Sequence, residues 1–209
     1  MRKILRIVYI SVLTVLLFAS NSFAIGLGMY IDLGGGSGEA EFDVPGADEF
    51  DIDTAFFGIG FQLETNPLSA KKVFSYRFQA GLEARELELD DNDDITMELG
   101  GLVINNTFAF GGNPSEKIRL WGGPQILIGF YGGETDKEYL GDEISFVGAA
   151  FGLGVAGGAN FGIGSGNTIL TTTIGVRALG FSGEAEWYGQ DEDLDGNATE
   201  FFLSVGVLF

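Results

Sequence analysis

The 209-residue chain contains no histidine and no cysteine. Without histidine it lacks the commonest general base and the commonest metal ligand, which excludes a Ser-His-Asp or Cys-His triad and any His-containing zinc site. Without cysteine it forms no disulfide, holds no iron–sulfur cluster and performs no thiolate chemistry. Basic residues are scarce: 11 Lys and Arg stand against 30 Asp and Glu, a net charge of −19. That balance argues against a nucleic-acid backbone as partner. After the first segment there is no run of about 18 apolar residues, so no later transmembrane helix is expected. What is abundant is glycine, with 34 residues, and phenylalanine, with 19, in a chain that is 45% hydrophobic. Such a chain is too apolar to be a disordered acidic tail, and its length suits one domain or two small ones.

The first segment reads as an address. Arg2, Lys3 and Arg6 form a positive region, Ile7 to Ala19 is almost wholly apolar, and Ser22 and Ala24 place small residues at a cleavage site. This is the pattern of a secretory signal peptide over 1–24, and the apolar run is too short for a membrane span. The mature chain is expected to start at Ile25, with eight bases against 30 acids, a net of −22.

Beyond it the dominant periodicity is 2, the period of a β-strand. Ile25, Leu27, Met29, Ile31 and Leu33 alternate with Gly26, Gly28, Tyr30 and Asp32. Phe57, Ile59, Phe61 and Leu63 alternate with Gly58, Gly60, Gln62 and Glu64. The same holds for Phe74–Leu82, Ile118–Phe130, Phe151–Val155, Leu170–Val176 and Phe201–Phe209. One strand is less regular: between Ile95 and Phe110 both Val103 and its even-numbered neighbours are apolar, and Asn106 falls on the apolar face. A bulge near Asn105-Asn106 would repair it. Eight strands result, roughly 25–35, 54–65, 73–87, 95–110, 117–132, 144–161, 168–181 and 199–209.

Short and long connections alternate, and charge sorts with them. The short ones carry the Gly, Pro, Asn and Ser of turns. The acid-rich windows 39–53, 86–98, 134–143 and 184–200 hold 26 of the 30 acids, with Lys137 as their one basic residue. In an up-and-down meander all four long connections emerge at one end, so that end is strongly negative.

In a soluble barrel the apolar face points inward; in a membrane barrel it points to lipid and the polar or small residues fill the lumen. Here the polar face is rich in glycine, and residues 148, 150, 152, 154, 156 and 158 are all Gly or Ala. Glycine weakens a solvent-facing strand but suits a crowded lumen. Phe and Tyr gather at the apolar strand ends, as an interfacial girdle does. Together with a signal peptide these features favour an all-β, eight-stranded, antiparallel up-and-down transmembrane β-barrel over 25–209.

On these residues the chain resembles the small eight-stranded bacterial outer-membrane barrels of the OmpA and OmpX type. The most specific element is the tail Phe201, Leu203, Val205, Val207 and Phe209, ending on a terminal Phe, which resembles that family's assembly signal. The resemblance implies an integral bacterial outer-membrane protein with periplasmic termini. Its implied partners are outer-membrane lipids and, during biogenesis, the barrel-assembly machinery; a monomer and an unidentified surface ligand are expected, and no nucleic acid. Barrel enzymes of similar architecture use His at their sites, so no enzymatic activity is expected.

Three motifs remain. Gly152-Leu153-Gly154-Val155-Ala156-Gly157 matches a dinucleotide loop, but strand alternation continues through it and Arg177 stands where the acid is needed, so it reads as small residues facing a lumen. Asp32, Glu64, Arg77, Glu83, Arg119 and Arg177 fall on the polar face and are expected to form a lumen charge network, because buried charges must be paired. Strand six, lined by Gly and Ala, is expected to leave room for Arg119 and Arg177. Asp191, Asp193 and Asp195, followed by Gly196 and Glu200, match the first half of a calcium loop without its bidentate twelfth ligand, which suggests weak Ca²⁺ binding and no other cofactor. The functional expectation is a non-enzymatic barrel presenting acidic loops for structural, adhesive or cation- and ligand-binding roles. The alternative is a narrow channel or transporter for small solutes.

Overall fold

The computed structural model describes residues 25–42, 50–89, 95–136, 144–187 and 190–209. The expected signal peptide lies outside the described residues. Eight strands follow in order: β1 (Ile25–Phe42), β2 (Phe50–Thr65), β3 (Phe74–Leu89), β4 (Ile95–Ser115), β5 (Ile118–Thr135), β6 (Ser145–Gly162), β7 (Ile169–Trp187) and β8 (Gln190–Leu208). Each pairs antiparallel with the next, and β1 with β8, so the sheet closes into a barrel with no free edge. The last residue takes part in that closure: Phe209 N donates to Leu27 O at 2.9 Å.

The alternation decides which side chains point outward, and in the half nearest the short turns the outward ones are large and apolar. Leu27 is 60% exposed, Phe61 66% and Phe201 68%. Aromatic pairs Phe74–Phe110 and Tyr76–Phe108, in register across β3 and β4, sit at the lower rim of this belt. An exposed apolar surface encircling a protein is far larger than a water-soluble monomer carries.

The strands run further than the sequence reading placed them. β1 continues to Phe42 and β2 starts at Phe50, while β7 reaches Trp187 and β8 starts at Gln190. Much of the four acid-rich windows is therefore strand, which corrects their assignment to loops. The physical reason is that alternation keeps its phase while its polarity reverses. Glu39, Glu41, Asp51, Asp53, Glu86 and Glu88 point outward, and Ala40, Ile52 and Leu87 between them are buried. Inside this upper half, Ile52, Leu87, Met97, Leu99, Leu127, Phe146 and Leu179 pack into one apolar cluster. Lipid outside demands apolar side chains there and allows a polar lumen; water outside demands the opposite.

No bulge forms near Asn105-Asn106. The β3–β4 register runs unshifted from Phe74↔Phe110 to Leu89↔Ile95. Asn105 is buried inside, and Asn106 faces outward, where Tyr76 Oη donates to its Oδ1 at 2.5 Å. That hydrogen bond is what makes an amide tolerable on the apolar face. The register shift lies instead between Gly112 and Ser115.

Candidate functional site: a filled lumen and an acidic collar

Two features of the barrel carry chemistry: the charges inside and the carboxylates outside. The interior is built in tiers. Nearest the short turns, Glu64 and Arg77 face each other across β2 and β3. Arg77 Nη2 lies 2.7 Å from Glu64 Oε2, and Arg77 Nη1 donates to Thr173 Oγ1. Asn160 Nδ2 donates to Glu64 Oε1 at 2.7 Å, and Trp121 Nε1 donates to Asn160 Oδ1 at 3.2 Å. The guanidinium of Arg77 stacks on the Trp121 ring, 4.3 Å from its centroid. Above this lies an amide tier, in which Gln79 Nε2 donates to Gln62 Oε1 at 3.0 Å and Gln62 Nε2 to Thr171 Oγ1 at 3.3 Å.

The third tier is a closed ring of alternating charge. Arg177 Nε donates to Glu200 Oε2 at 2.7 Å, and Glu200 Oε1 accepts from Arg85 Nη1. Arg85 Nη2 reaches Glu83 Oε1 at 2.8 Å, and Glu83 Oε2 lies 3.9 Å from Arg177 Nη2. Tyr131 Oη donates to Glu83 Oε1 at 2.7 Å and Thr54 Oγ1 to Glu200 Oε1 at 3.2 Å. Both arginines lie over Phe56, with Arg177 4.4 Å and Arg85 5.1 Å from the ring centroid. Opposite charges at hydrogen-bond distance offset the cost of removing them from water. The apolar cluster of the upper half lies above this ring.

The structure places the six expected lumen charges as follows. Glu64 and Arg77 meet in the lower tier; Glu83 and Arg177 meet in the upper ring. Asp32 is buried beside that ring, and its Oδ1 has no hydrogen-bond partner among the described residues. Arg119 is the correction. It donates to the carbonyl oxygens of Ser69, Lys72 and Val73, at 3.0, 2.7 and 2.8 Å, and so ties down the β2–β3 turn instead of entering the network. The small residues of β6 make room for Arg177 and for Trp121: a Cβ on Gly154 would come within 2.7 Å of Arg177 Cβ, and one on Gly158 within 2.8 Å of Trp121 Cζ2.

Arg85 and Glu200 are the residues that sequence reasoning left out of the network. Arg85 continues the inward parity of Arg77 and Glu83. Glu200 shares the parity of Phe202 and Ser204, both buried. The expected calcium loop is corrected by the same placement. Asp191, Asp193 and Asp195 lie on the outward face of β8, where alternate side chains are spaced roughly 7 Å apart along the strand, and Glu200 faces inward between two arginines. Among the described residues no cluster of three acidic side chains is arranged to hold a metal ion.

Outside, the upper half wears a collar of carboxylates. Among the described residues, two exposed acids are direct cross-strand partners in seven places: Glu39↔Asp51, Glu41↔Asp195, Asp53↔Glu88, Glu86↔Glu98, Glu98↔Glu134, Glu184↔Asp193 and Glu186↔Asp191. Like charges directly opposed on one face of a sheet are destabilising. The register of this fold therefore builds a standing negative potential around the barrel wall.

No protein-family model matches the chain, and no curated protein sequence matches it. Solved structures do. A major outer membrane protein from Thermus thermophilus superposes with a TM-score of 0.51 at 11% identity, over 88% of this chain and 98% of that one. The outer membrane protein OprG from Pseudomonas aeruginosa superposes with a TM-score of 0.53 at 8% identity, over 87% of this chain and 96% of that one. The chain has the fold of the small eight-stranded outer-membrane β-barrels, with a filled lumen and a carboxylate collar of its own.

Proposed function

We propose that the chain is an integral protein of a bacterial outer membrane, non-enzymatic and non-conducting, whose barrel anchors a rigid acidic collar that attracts cations or a cationic surface partner. The observation that carries this reading is the reversal of polarity along β1 to β5, β7 and β8, the strands that bear the collar. A tilted membrane strand needs about 9–11 residues, whereas β1 has 18 and β7 has 19. The apolar belt accounts for the buried part. The remainder, apolar inside and acidic outside, has the composition of a barrel standing in water. On this reading the termini lie in the periplasm and the collar stands above the outer surface.

The filled lumen supports an anchor over a channel. Eight strands enclose only enough space for side chains, and here an arginine–glutamate ring and an apolar cluster occupy it. Reconstitution in a planar bilayer tests this: the expected result is no single-channel conductance above the bare membrane. Discrete conductance steps would favour the channel reading. For the collar, calorimetry with oligolysine is expected to show salt-sensitive binding that weakens when Glu39, Asp51, Glu184 and Asp193 are replaced by their amides. Equal heats for both proteins would remove the collar as a binding surface.

A further inference from the structure

We infer that the short-turn end of the lumen holds one small inorganic anion of halide size, bound by Arg119 Nε, Asn66 Nδ2 and Ser75 Oγ. These side chains point into the barrel below the Glu64–Arg77 tier. Arg119 and Ser75 are 0% exposed and Asn66 is 2% exposed. None of the three atoms has a hydrogen-bond partner among the described residues. They come from β5, from the residue that follows β2, and from β3. The fold brings them to one level. Glu64 and Arg77 are direct cross-strand partners, and the same register carried two residues toward the turn sets Asn66 beside Ser75. Arg119 crosses beneath that turn, where its Nη atoms donate to the carbonyl oxygens of Ser69, Lys72 and Val73. Ser69 N in turn donates to Asn66 O at 3.3 Å, and Val73 stands two residues before Ser75.

Charge sets the kind of occupant. In this part of the lumen two guanidinium groups, Arg77 and Arg119, stand against one carboxylate. Glu64 is committed to its own tier: Oε2 accepts from Arg77 Nε and Nη2 at 3.0 and 2.7 Å, and Oε1 accepts from Asn160 Nδ2 at 2.7 Å. Among the described residues no carboxylate lies within salt-bridge distance of Arg119. A buried charge with neutral partners alone is costly. The three unpartnered atoms all serve as donors: guanidinium and amide nitrogens only donate, and a hydroxyl does either. The occupant therefore accepts hydrogen bonds and carries negative charge, and water meets only the first condition. Asn113 Oδ1, the remaining unpartnered atom at this end, is an acceptor and lies outside the set. The approach favours an anion too, because the described short turns carry Lys71, Lys72 and Lys117 against Glu116.

The test uses the full barrel in non-ionic detergent micelles, titrated with sodium chloride, and the chlorine NMR line width, which broadens when chloride enters an asymmetric bound site. The expected result is excess broadening that saturates and that bromide removes by competition. Replacing Asn66 by Gly and Ser75 by Ala deletes two donors and leaves Arg119 in place. Glycine accepts the φ of 54° at position 66, so the turn keeps its path. This double variant is expected to bind chloride at least about tenfold more weakly, the scale of losing a hydrogen bond to a charged group. Lys71→Gln, an exposed change beside the site, is expected to shift affinity by less than about fivefold. Crystals of the parent soaked in sodium bromide give a second reading that needs no variant: one anomalous peak at hydrogen-bond distance from Arg119 Nε. No saturable broadening in the parent, or bromide peaks confined to the protein surface, would overturn the proposal and leave water on these donors. Equal affinity in the parent and the double variant, or a larger loss in Lys71→Gln than in the double variant, would mean an adventitious ion only.

Discussion

Arg177 and Glu200 are direct cross-strand partners on β7 and β8, joined by a 2.7 Å hydrogen bond from Nε to Oε2. Glu200 is the hub of the upper ring, because its other oxygen accepts from Arg85, 115 residues away in the sequence. One carboxylate thus ties the last strand to the seventh and, across the lumen, to the third. The ring fixes which levels of the barrel meet as well as filling space.

Removing that hub leaves two buried guanidinium groups short of a partner. Glu200→Ala is expected to destabilise the barrel by about 3–5 kcal/mol, the cost of breaking a buried ion pair on one side. Asp195→Ala, an exposed change on the same strand, is expected to fall within about 0.5 kcal/mol of the parent. Urea midpoints of the two variants in the same micelle check this. Equal midpoints would show that Glu200 is not held in a sealed network.

The inner surface was legible only in part from the sequence, for identifiable reasons. Parity assigns Arg77, Glu83 and Arg177 to the lumen, because side chains alternate strictly along a strand. The same parity covers Arg85 and Glu200, both inside the expected strands, but Glu200 also fits the calcium motif and Arg85 stands at a strand end beside an acid-rich window, where nothing local marks it as a lumen residue. Asp191, Asp193 and Asp195 have the spacing of a calcium loop, and they also have the spacing of one face of a strand. Local sequence does not separate the two. What decides is the inward set of Leu194 and Ala198, both buried. Which levels meet across the lumen depends on barrel stagger, which no single strand encodes. The role of Arg119 depends on the path of the β2–β3 turn. There Asn66 takes φ of 54°, a left-handed conformation that asparagine tolerates better than most residues, and the turn aims its carbonyl oxygens at the guanidinium.

Arg119 yields a local prediction. Its three carbonyl acceptors all lie in Ser69–Val73, so Arg119→Ala is expected to loosen that turn while the upper ring stays intact. Hydrogen exchange should rise in the 66–76 segment and stay unchanged around Glu200. Lysine at 119 is expected to restore protection only partly, since one ammonium cannot reproduce the planar fork. Faster exchange throughout the barrel would assign Arg119 a global role instead.

The collar makes a prediction of opposite sign. Glu98 faces Glu86 on one side and Glu134 on the other, so it carries two opposed like-charge contacts. Glu98→Gln is expected to stabilise the barrel by about 0.2–1 kcal/mol per relieved contact at low salt. The gain should shrink as sodium chloride screens the parent. Glu116→Gln, in the short β4–β5 turn away from the collar, is expected to change little. A destabilised Glu98→Gln at every salt concentration would mean that the row is already neutralised by a tightly held cation.

The last prediction concerns the terminal residue. Phe209 closes the seam between β8 and β1 through its backbone, and its side chain is 71% exposed at the lower rim of the apolar belt. With Phe201, Leu203, Val205 and Val207 it forms the outward face of β8, the face that resembles an assembly signal. Backbone pairing and side-chain recognition can be separated. Phe209→Ala keeps the hydrogen bonds to Leu27 and removes the ring, whereas deletion removes both. If the ring is read during assembly, the substitution and the deletion should both lower the amount of heat-modifiable barrel recovered in the outer membrane, and refolding of purified Phe209→Ala in micelles should be nearly normal. If the residue acts only by closing the seam, the substitution should assemble as the parent does and only the deletion should fail. Normal outer-membrane yield for both would leave the terminal aromatic with no part in biogenesis.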